Sequence, residues 1–460
     1  MLLSEAHCRP YHTNLQKGAY VPPRWWNDTD REIFRLAVPA FAALVSEPLF
    51  LLADAAIVGH LGTPQLAGLG VAGAVLQTLL GVFVFLAYGT TSSVARQLGA
   101  GERRRALAQG VDGLWLALAL GLAMLVVGVL LGEPIVALFD PDPAVTPHAL
   151  TYLRISSLGL PAMFLVLAAT GVLRGLLDTR TPLVVMIAAN LGNVALNLAL
   201  VYGLGLGIAG SALGTVIAQA GAAAALVAVV LRAAREYDAP LLPDPTGIRA
   251  AGRLGVPLVV RTVTLRAALL LTTYVATAQG ATSIAAHQVA FTVWTFLAFA
   301  LDAVAIAAQA LTGKTLGAGD AAATRRVTRR MLGWGLASGA VTGLLLLAGR
   351  DLLAPLFTPD PAVQALLSAV LVIVALQQPV AGVVFVLDGV LIGAGDGAYL
   401  AWAGVLTLVA FTPLALLVLL SGSGLLWLWA ALGGFMLARL TTLLWRERGD
   451  AWLRTGAAVR

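Results

Sequence analysis

Residues 141–145 read Pro141-Asp142-Pro143-Ala144-Val145, and the same five residues return as Pro359-Asp360-Pro361-Ala362-Val363, an offset of 218. Outward from that pair the register holds. Leu36, Val38 and Pro39 meet Leu254, Val256 and Pro257, and Leu98-Gly99-Ala100-Gly101 meets Leu316-Gly317-Ala318-Gly319. Pro161 meets Pro379, and Gly171, Gly175 and Asp178 meet Gly389, Gly393 and Asp396. A constant offset held without gaps over about 150 positions marks the two halves as products of a duplication.

Only 11% of the 460 residues are charged and 59% are hydrophobic, against about 25% charged in an average soluble domain. Too few charges remain to coat a water-facing surface, so a soluble enzyme and a disordered chain are excluded. The single cysteine, Cys8, excludes an internal disulfide and a cysteine-built metal site. Apolar stretches long enough to cross a hydrocarbon layer of about 30 Å fall at 36–58, 66–95, 111–132, 150–172, 182–203, 208–233, 254–278, 284–312, 330–349, 363–390, 398–419 and 425–444. The expected fold class is therefore an all-α polytopic membrane protein of twelve transmembrane helices. The first thirty residues hold no apolar run, so no cleavable signal peptide is expected, and Trp25 and Trp26 read as an interfacial anchor.

Of the 29 Lys and Arg residues, 25 fall in segments on one side of these spans, Arg96, Arg174 and Arg439 among them. The positive-inside rule then puts both termini in the cytoplasm. The net charge of +6 is a topology signal and gives no reason to expect nucleic acid as a partner. Six spans separate equivalent positions, so the halves run parallel, related by a pseudo-two-fold along the membrane normal. Parallel repeats of this kind build secondary transporters, with the substrate cavity between the halves. The expected organisation is a tail at 1–30, a six-helix lobe at 31–235, a Pro-containing linker at 236–250, a second lobe at 251–445 and a tail at 446–460.

Six charges lie inside the spans: Glu47, Asp54, Arg261, Arg266, Asp302 and Asp388. Charges are costly at mid-membrane and mark functional sites by default; the alternative is that they neutralise one another in the packed interior. Arg261 and Arg266 are expected to pair with Asp302 and Asp388. Glu47 and Asp54 stand two turns apart on one helix face, about 10 Å along the axis. A carboxylate moved between dry and wet surroundings exchanges a proton as those surroundings change, which makes Asp54 the leading cation-coupling residue. Pro39 and Pro48 make the same helix prone to bend. Asn190, Asn193 and Asn197 form one polar stripe, and Thr215 and Gln219 a second; they line a cavity or join neighbouring helices.

The five histidines show no metal-ligand spacing, and no metal site is expected. No Walker A phosphate loop and no Gly-x-Ser-x-Gly nucleophile elbow occurs, so neither ATP hydrolysis nor enzyme chemistry is expected. The duplicated Leu-Gly-Ala-Gly segments read as tight turns between spans.

Residues 31–445 resemble the DinF-like branch of the MATE (multidrug and toxic compound extrusion) family. The resemblance lies in Leu52-Ala53-Asp54-Ala55-Ala56-Ile57-Val58-Gly59-His60-Leu61-Gly62, in 171–182 (GVLRGLLDTRTP), in Leu387-Asp388-Gly389-Val390-Leu391-Ile392-Gly393 and in the duplicated turns. It implies an antiporter that exports organic, often cationic or amphipathic compounds in exchange for protons or, in some members, sodium. It also implies that Asp54 couples to the cation, with Asn193, Asn197 and Thr215 as neighbours. Many relatives carry a second aspartate where Asn197 stands, so either Asp54 acts alone or Glu47 supplies the second carboxylate. Asp388 matches an acid of the NorM-like branch, but Arg261 and Arg266 weaken a sodium site in that half. Expected partners are small organic substrates and membrane lipids around a monomer in the plasma membrane, the inner membrane of a bacterium. No cofactor is expected, and protons are preferred to sodium because no cage of several oxygens surrounds Asp54. A lipid-linked precursor flippase of the wider superfamily is the rival reading.

Overall fold

The computed structural model describes residues 27–457; Cys8, the Trp25 and Trp26 anchor and most of the N-terminal tail lie outside the described residues. In chain order the α-helices are α1 (Asp28–Gly59), α2 (Thr63–Phe83), α3 (Phe85–Gly99), α4 (Arg103–Leu130), α5 (Gly132–Ala137), α6 (Thr146–Ser157), α7 (Leu160–Gly175) and α8 (Arg180–Asn197). A π-helical segment, Leu198–Gly203, continues α8. The chain goes on through α9 (Gly207–Glu236), α10 (Pro245–Ala278), α11 (Ala281–Gly317), α12 (Ala321–Phe357), α13 (Pro361–Gly393), α14 (Gly397–Ser421) and α15 (Leu425–Arg448). Eleven helices, counted with their continuations, are long and apolar enough to cross a membrane; the count is twelve when α6 and α7, bent by 52°, form one span. Large side chains such as Leu270, Leu344, Leu345, Leu417 and Leu420 stand exposed on the outer faces, an arrangement suited to lipid and not to water.

Side-chain caps open α1, α10, α12 and α13. Asn27 and Asp30 close a capping box on α1, with Asn27 Oδ1 accepting from Asp30 N at 2.9 Å. The repeated Pro-Asp-Pro-Ala-Val makes the same hydrogen bond twice, Asp142 Oδ1 accepting from Ala144 N and Asp360 Oδ1 from Ala362 N, both at 2.8 Å, but only Asp360 caps a helix, since α6 starts later at Thr146. The expected linker is shorter than 236–250, because Asp244 caps a helix that starts at Pro245 and runs unbroken into the membrane span. The halves differ where the N-terminal one is broken. Pro161 opens α7 after the bend, whereas its counterpart Pro379 sits inside continuous α13.

The lobes are hydrogen-bonded together at one end of the bundle, the basic end where α1 begins and α15 ends. Ala40 of α1 packs on Ala303 and Ile306 of α11. Ser92 Oγ donates to Ile392 O at 2.7 Å, Arg96 Nη2 to Ala394 O at 2.9 Å, and Gln309 Nε2 to Tyr88 O at 2.6 Å. Asp30 of α1 accepts from Arg330 and Trp334 of α12, and Lys314 donates to Glu32. The segment after α15 crosses the same seam: Arg96 also reaches Arg454 O at 2.8 Å, and Gly456 N donates to Leu316 O. Among the described residues the side-chain hydrogen bonds between the lobes lie in this half.

Candidate functional site

Asp54 lies in the half of α1 away from the basic end, and only 2% of its surface is exposed. Three helices bring donors to its carboxylate. Ser211 Oγ of α9 donates to Oδ1 at 2.5 Å, Asn197 Nδ2 of α8 to the same oxygen at 2.8 Å, and Tyr152 Oη of α6 to Oδ2 at 3.1 Å. Behind them the chain continues: Asn197 Nδ2 also donates to Asn193 Oδ1 at 3.0 Å, and Asn193 Nδ2 to Thr215 Oγ1 at 3.1 Å. No salt bridge reaches Asp54 among the described residues. The site is a lone carboxylate held by neutral donors, able to bind a cation or proton without displacing a fixed positive partner.

Local backbone geometry makes this possible. Asn197 ends α8 where the helix widens into the π-helical segment, a feature common at functional sites. That segment also places Tyr202, whose hydroxyl donates to Ile57 O at 2.6 Å, one turn beyond Asp54. On α9 only a glycine fits opposite the amide, since a Cβ on Gly214 would stand 2.1 Å from Asn197 Oδ1. We expect Gly214→Ala to push Asn197 off Asp54 at a cost of about 1–3 kcal/mol, read as a lowered unfolding temperature with normal membrane insertion.

Both expected hinge prolines lie inside an unbroken α1. Proline lacks an N–H, so Pro39 leaves the Arg35 carbonyl without its helical donor, and Thr179 Oγ1 approaches that oxygen at 3.5 Å. Near Pro48, Asn190 Nδ2 donates to Ser46 O at 3.1 Å. Asn190 therefore serves the backbone of α1 and not the Asp54 network, although it shares a stripe with Asn193 and Asn197. Gln219 is half-buried and makes no hydrogen bond in the network. Glu47 is not brought to Asp54: it is exposed, two turns nearer the basic end, with no hydrogen-bond partner among the described residues.

The C-terminal charges correct the expected pairing. Arg261 Nη2 binds Asp388 Oδ2 at 2.7 Å, but the second cation on that oxygen is Arg439, which the charge count had put on the surface. Arg439 lies within α15, its side chain only 11% exposed. Arg266 is exposed and joins neither acid, because five residues turn it about 140° around α10 from Arg261. Asp302 makes no salt bridge among the described residues and faces the Arg174 and Arg261 charges at longer range. Tyr152 and Ser211 were missed in sequence: Ser211 extends the Thr215 and Gln219 stripe by one turn of α9 and could have been read from that spacing, whereas Tyr152 is one of several polar residues on α6 and nothing in the sequence singles it out.

The MatE family model matches the chain twice, over residues 39–199 and 257–417, so the two matches begin at the 218-residue offset read from the repeat. Protein DETOXIFICATION 44, chloroplastic, of Arabidopsis thaliana is 33% identical over 90% of this chain and 81% of its own length. DNA damage-inducible protein F of Escherichia coli strain K12 is 30% identical over 91% of this chain and 93% of its own. A crystal structure of MATE in the bent conformation superposes with a TM-score of 0.86 at 21% identity, covering 93% of this chain and 96% of that one. With both halves matched by one family model and relatives aligned over nearly their whole length, the chain belongs to the MatE family of multi-pass membrane transporters.

Proposed function

We propose that the chain is a secondary antiporter that exports organic compounds, cationic or amphipathic, in exchange for protons, with Asp54 as the coupling residue. The observation that carries this reading is the lone buried carboxylate ringed by neutral donors. A sodium ion needs several oxygens turned towards it, whereas the hydroxyls of Tyr152 and Ser211 and the amide of Asn197 all direct hydrogens at Asp54. Protons are therefore favoured over sodium, and the wider superfamily's lipid-linked cargo gains no support from this site. The basic end is the cytoplasmic face of a bacterial inner membrane in this reading, following the distribution of Lys and Arg.

With the lobes bonded together at that end, the conformation is closed to the cytoplasm. A proton arriving from outside neutralises Asp54 and removes the reason for Ser211, Asn197 and Tyr152 to converge on it. α1 is then free to bend at Pro39, where Thr179 stands in for the missing backbone donor, and at Pro48, and the bound compound is released outward. Return to the cytoplasmic side requires Ser92, Arg96 and Gln309 to let go of the opposite lobe.

Purified protein in liposomes tests the reading. A pH gradient, acid on the side opposite the basic end, is expected to drive efflux of a fluorescent organic cation, and a sodium gradient at fixed pH is expected to drive none. Efflux that follows sodium and ignores the pH gradient would overturn proton coupling.

A further inference from the structure

Arg261 and Arg439 enclose, with Thr264, Asp388, Thr407 and Thr442, a cavity of about 20 Å³ in the interior of the C-terminal lobe. We infer that this cavity is a binding site for a monovalent anion of about the size of a halide ion. Three observations converge on it.

The first is charge. Among the groups acting on the cluster are the guanidiniums of Arg174, Arg261 and Arg439 and the carboxylates of Asp302 and Asp388. Asp302 faces Arg174 and Arg261 at longer range, and Asp388 alone makes salt bridges to Arg261 and Arg439. With both acids ionised the interior still carries one uncompensated positive charge, a costly condition in surroundings that solvate ions poorly.

The second is a surplus of donors. A guanidinium carries N–H groups on all three of its nitrogens, yet both arginines converge on one oxygen, Asp388 Oδ2. Arg261 Nε is buried with no partner, and Arg439 Nη1 has only the sulfur of Met436 at 3.9 Å. Buried N–H groups without acceptors are rare unless something else accepts from them.

The third is the lining. The hydroxyls of Thr264, Thr407 and Thr442 are spent on their own helices, donating to Arg261 O, Gly404 O and Arg439 O at 2.8, 3.0 and 2.9 Å. Among the lining groups the buried donor left without an acceptor is Arg261 Nε–H, and the carboxylate of Asp388 shares the lining. The volume suits an occupant on the scale of one water molecule, too small for an organic substrate but adequate for chloride. Water would fill the space without meeting the charge, so an ion and a water make different predictions.

The site has no copy in the other lobe, since Asp388 corresponds in the repeat to Thr170. It also lies apart from Asp54, so its failure and that of the coupling scheme are separable. The test uses purified protein in detergent at constant ionic strength, with chloride exchanged for gluconate. The unfolding temperature is expected to rise with chloride and saturate. Arg439→Gln, which leaves a neutral Arg261–Asp388 pair, is expected to lose the response, and Arg439→Lys to keep it. Asp388→Asn, which adds a net positive charge, is expected to saturate at about tenfold lower chloride. Crystals of the wild type grown in bromide are expected to show an anomalous peak between Arg261 and Arg439, a measurement that depends on no variant. A wild type indifferent to chloride, or a bromide map empty at this cavity, overturns the inference.

Discussion

Asp54→Asn is expected to abolish efflux driven by a pH gradient, lowering its initial rate in liposomes by at least about a hundredfold, to the level of protein-free vesicles. The substitution keeps the shape of the side chain but removes the one carboxylate in the network. The amide cannot take up and release a proton, so neither side of the membrane can bias the conformation through it. The hydrogen bonds would change as well. Ser211 and Asn197 both donate to Oδ1 at present; an amide oxygen can keep them, but its nitrogen then opposes the Tyr152 hydroxyl, which must turn to accept. Folding should survive, because Asp54 is part of no ion pair whose loss would strand a buried charge. Binding of the fluorescent cation should therefore persist while its coupling to the pH gradient disappears, a split that misfolding would not produce. Undiminished pH-driven efflux by the variant would remove Asp54 from the mechanism. Glu47→Gln, two turns away and outside the network, is expected to stay within about twofold of wild type.

What made Asp54 legible was its cost: an acid in an apolar span stands out in a list of residues. Asn193, Asn197 and Thr215 were legible by helical spacing on adjacent spans, and the structure joins them by hydrogen bonds at 3.0 and 3.1 Å. Ser211 was legible by spacing, four residues before Thr215 on the same face of α9, but was not read; Tyr152 was hidden among the other polar residues of α6, and no spacing within a helix shows that α6 meets α1. Counting Asn190 with its stripe was reasonable but incomplete, because spacing identifies a face and not the atom that the face will meet. Arg439 failed for a different reason. The expected span 425–444 already contained Arg439, yet it was counted with the arginines of the basic end; α15 continues to Arg448, two and a half turns further, and Arg439 stays inside. The repeat itself was the most legible feature, and it also exposes an asymmetry: Asp54 corresponds to Thr272, whose hydroxyl turns back to Ala268 O. Each lobe therefore carries one charged interior site, at positions the other lobe leaves neutral.

Gly317→Val is expected to cost transport almost as much as the loss of Asp54, for a reason that concerns the lobe junction and not the coupling site. The duplicated Leu-Gly-Ala-Gly segments look alike because they meet. A Cβ on Gly317 would stand 1.9 Å from Arg96 O, and a Cβ on Gly99 would stand 1.9 Å from Lys314 O, so each helix end crosses the other at its glycine. Backbone oxygens have no rotamer to retreat into, and the lobes must separate. The nearby bonds from Ser92 to Ile392 O and from Arg96 to Ala394 O would stretch with them. If the closed state loses about 3 kcal/mol, its population relative to open states falls by about a hundredfold. Spin labels at Arg105 and Arg326, both exposed at the basic end on opposite lobes, should then report a longer and broader distance distribution than in the otherwise wild-type protein. The second glycine of each segment has a different task. Gly319 has φ of +81° with open space where a Cβ would go, so Gly319→Ala should cost only about 1–2 kcal/mol of backbone strain and leave the distance distribution in place. Equal effects of the two substitutions would mean that the glycines are simple turn residues. A large effect confined to Gly317 and Gly99 would mean that closure at this end depends on backbone contact at the crossing, and that the two copies of the motif are retained because each supplies half of it.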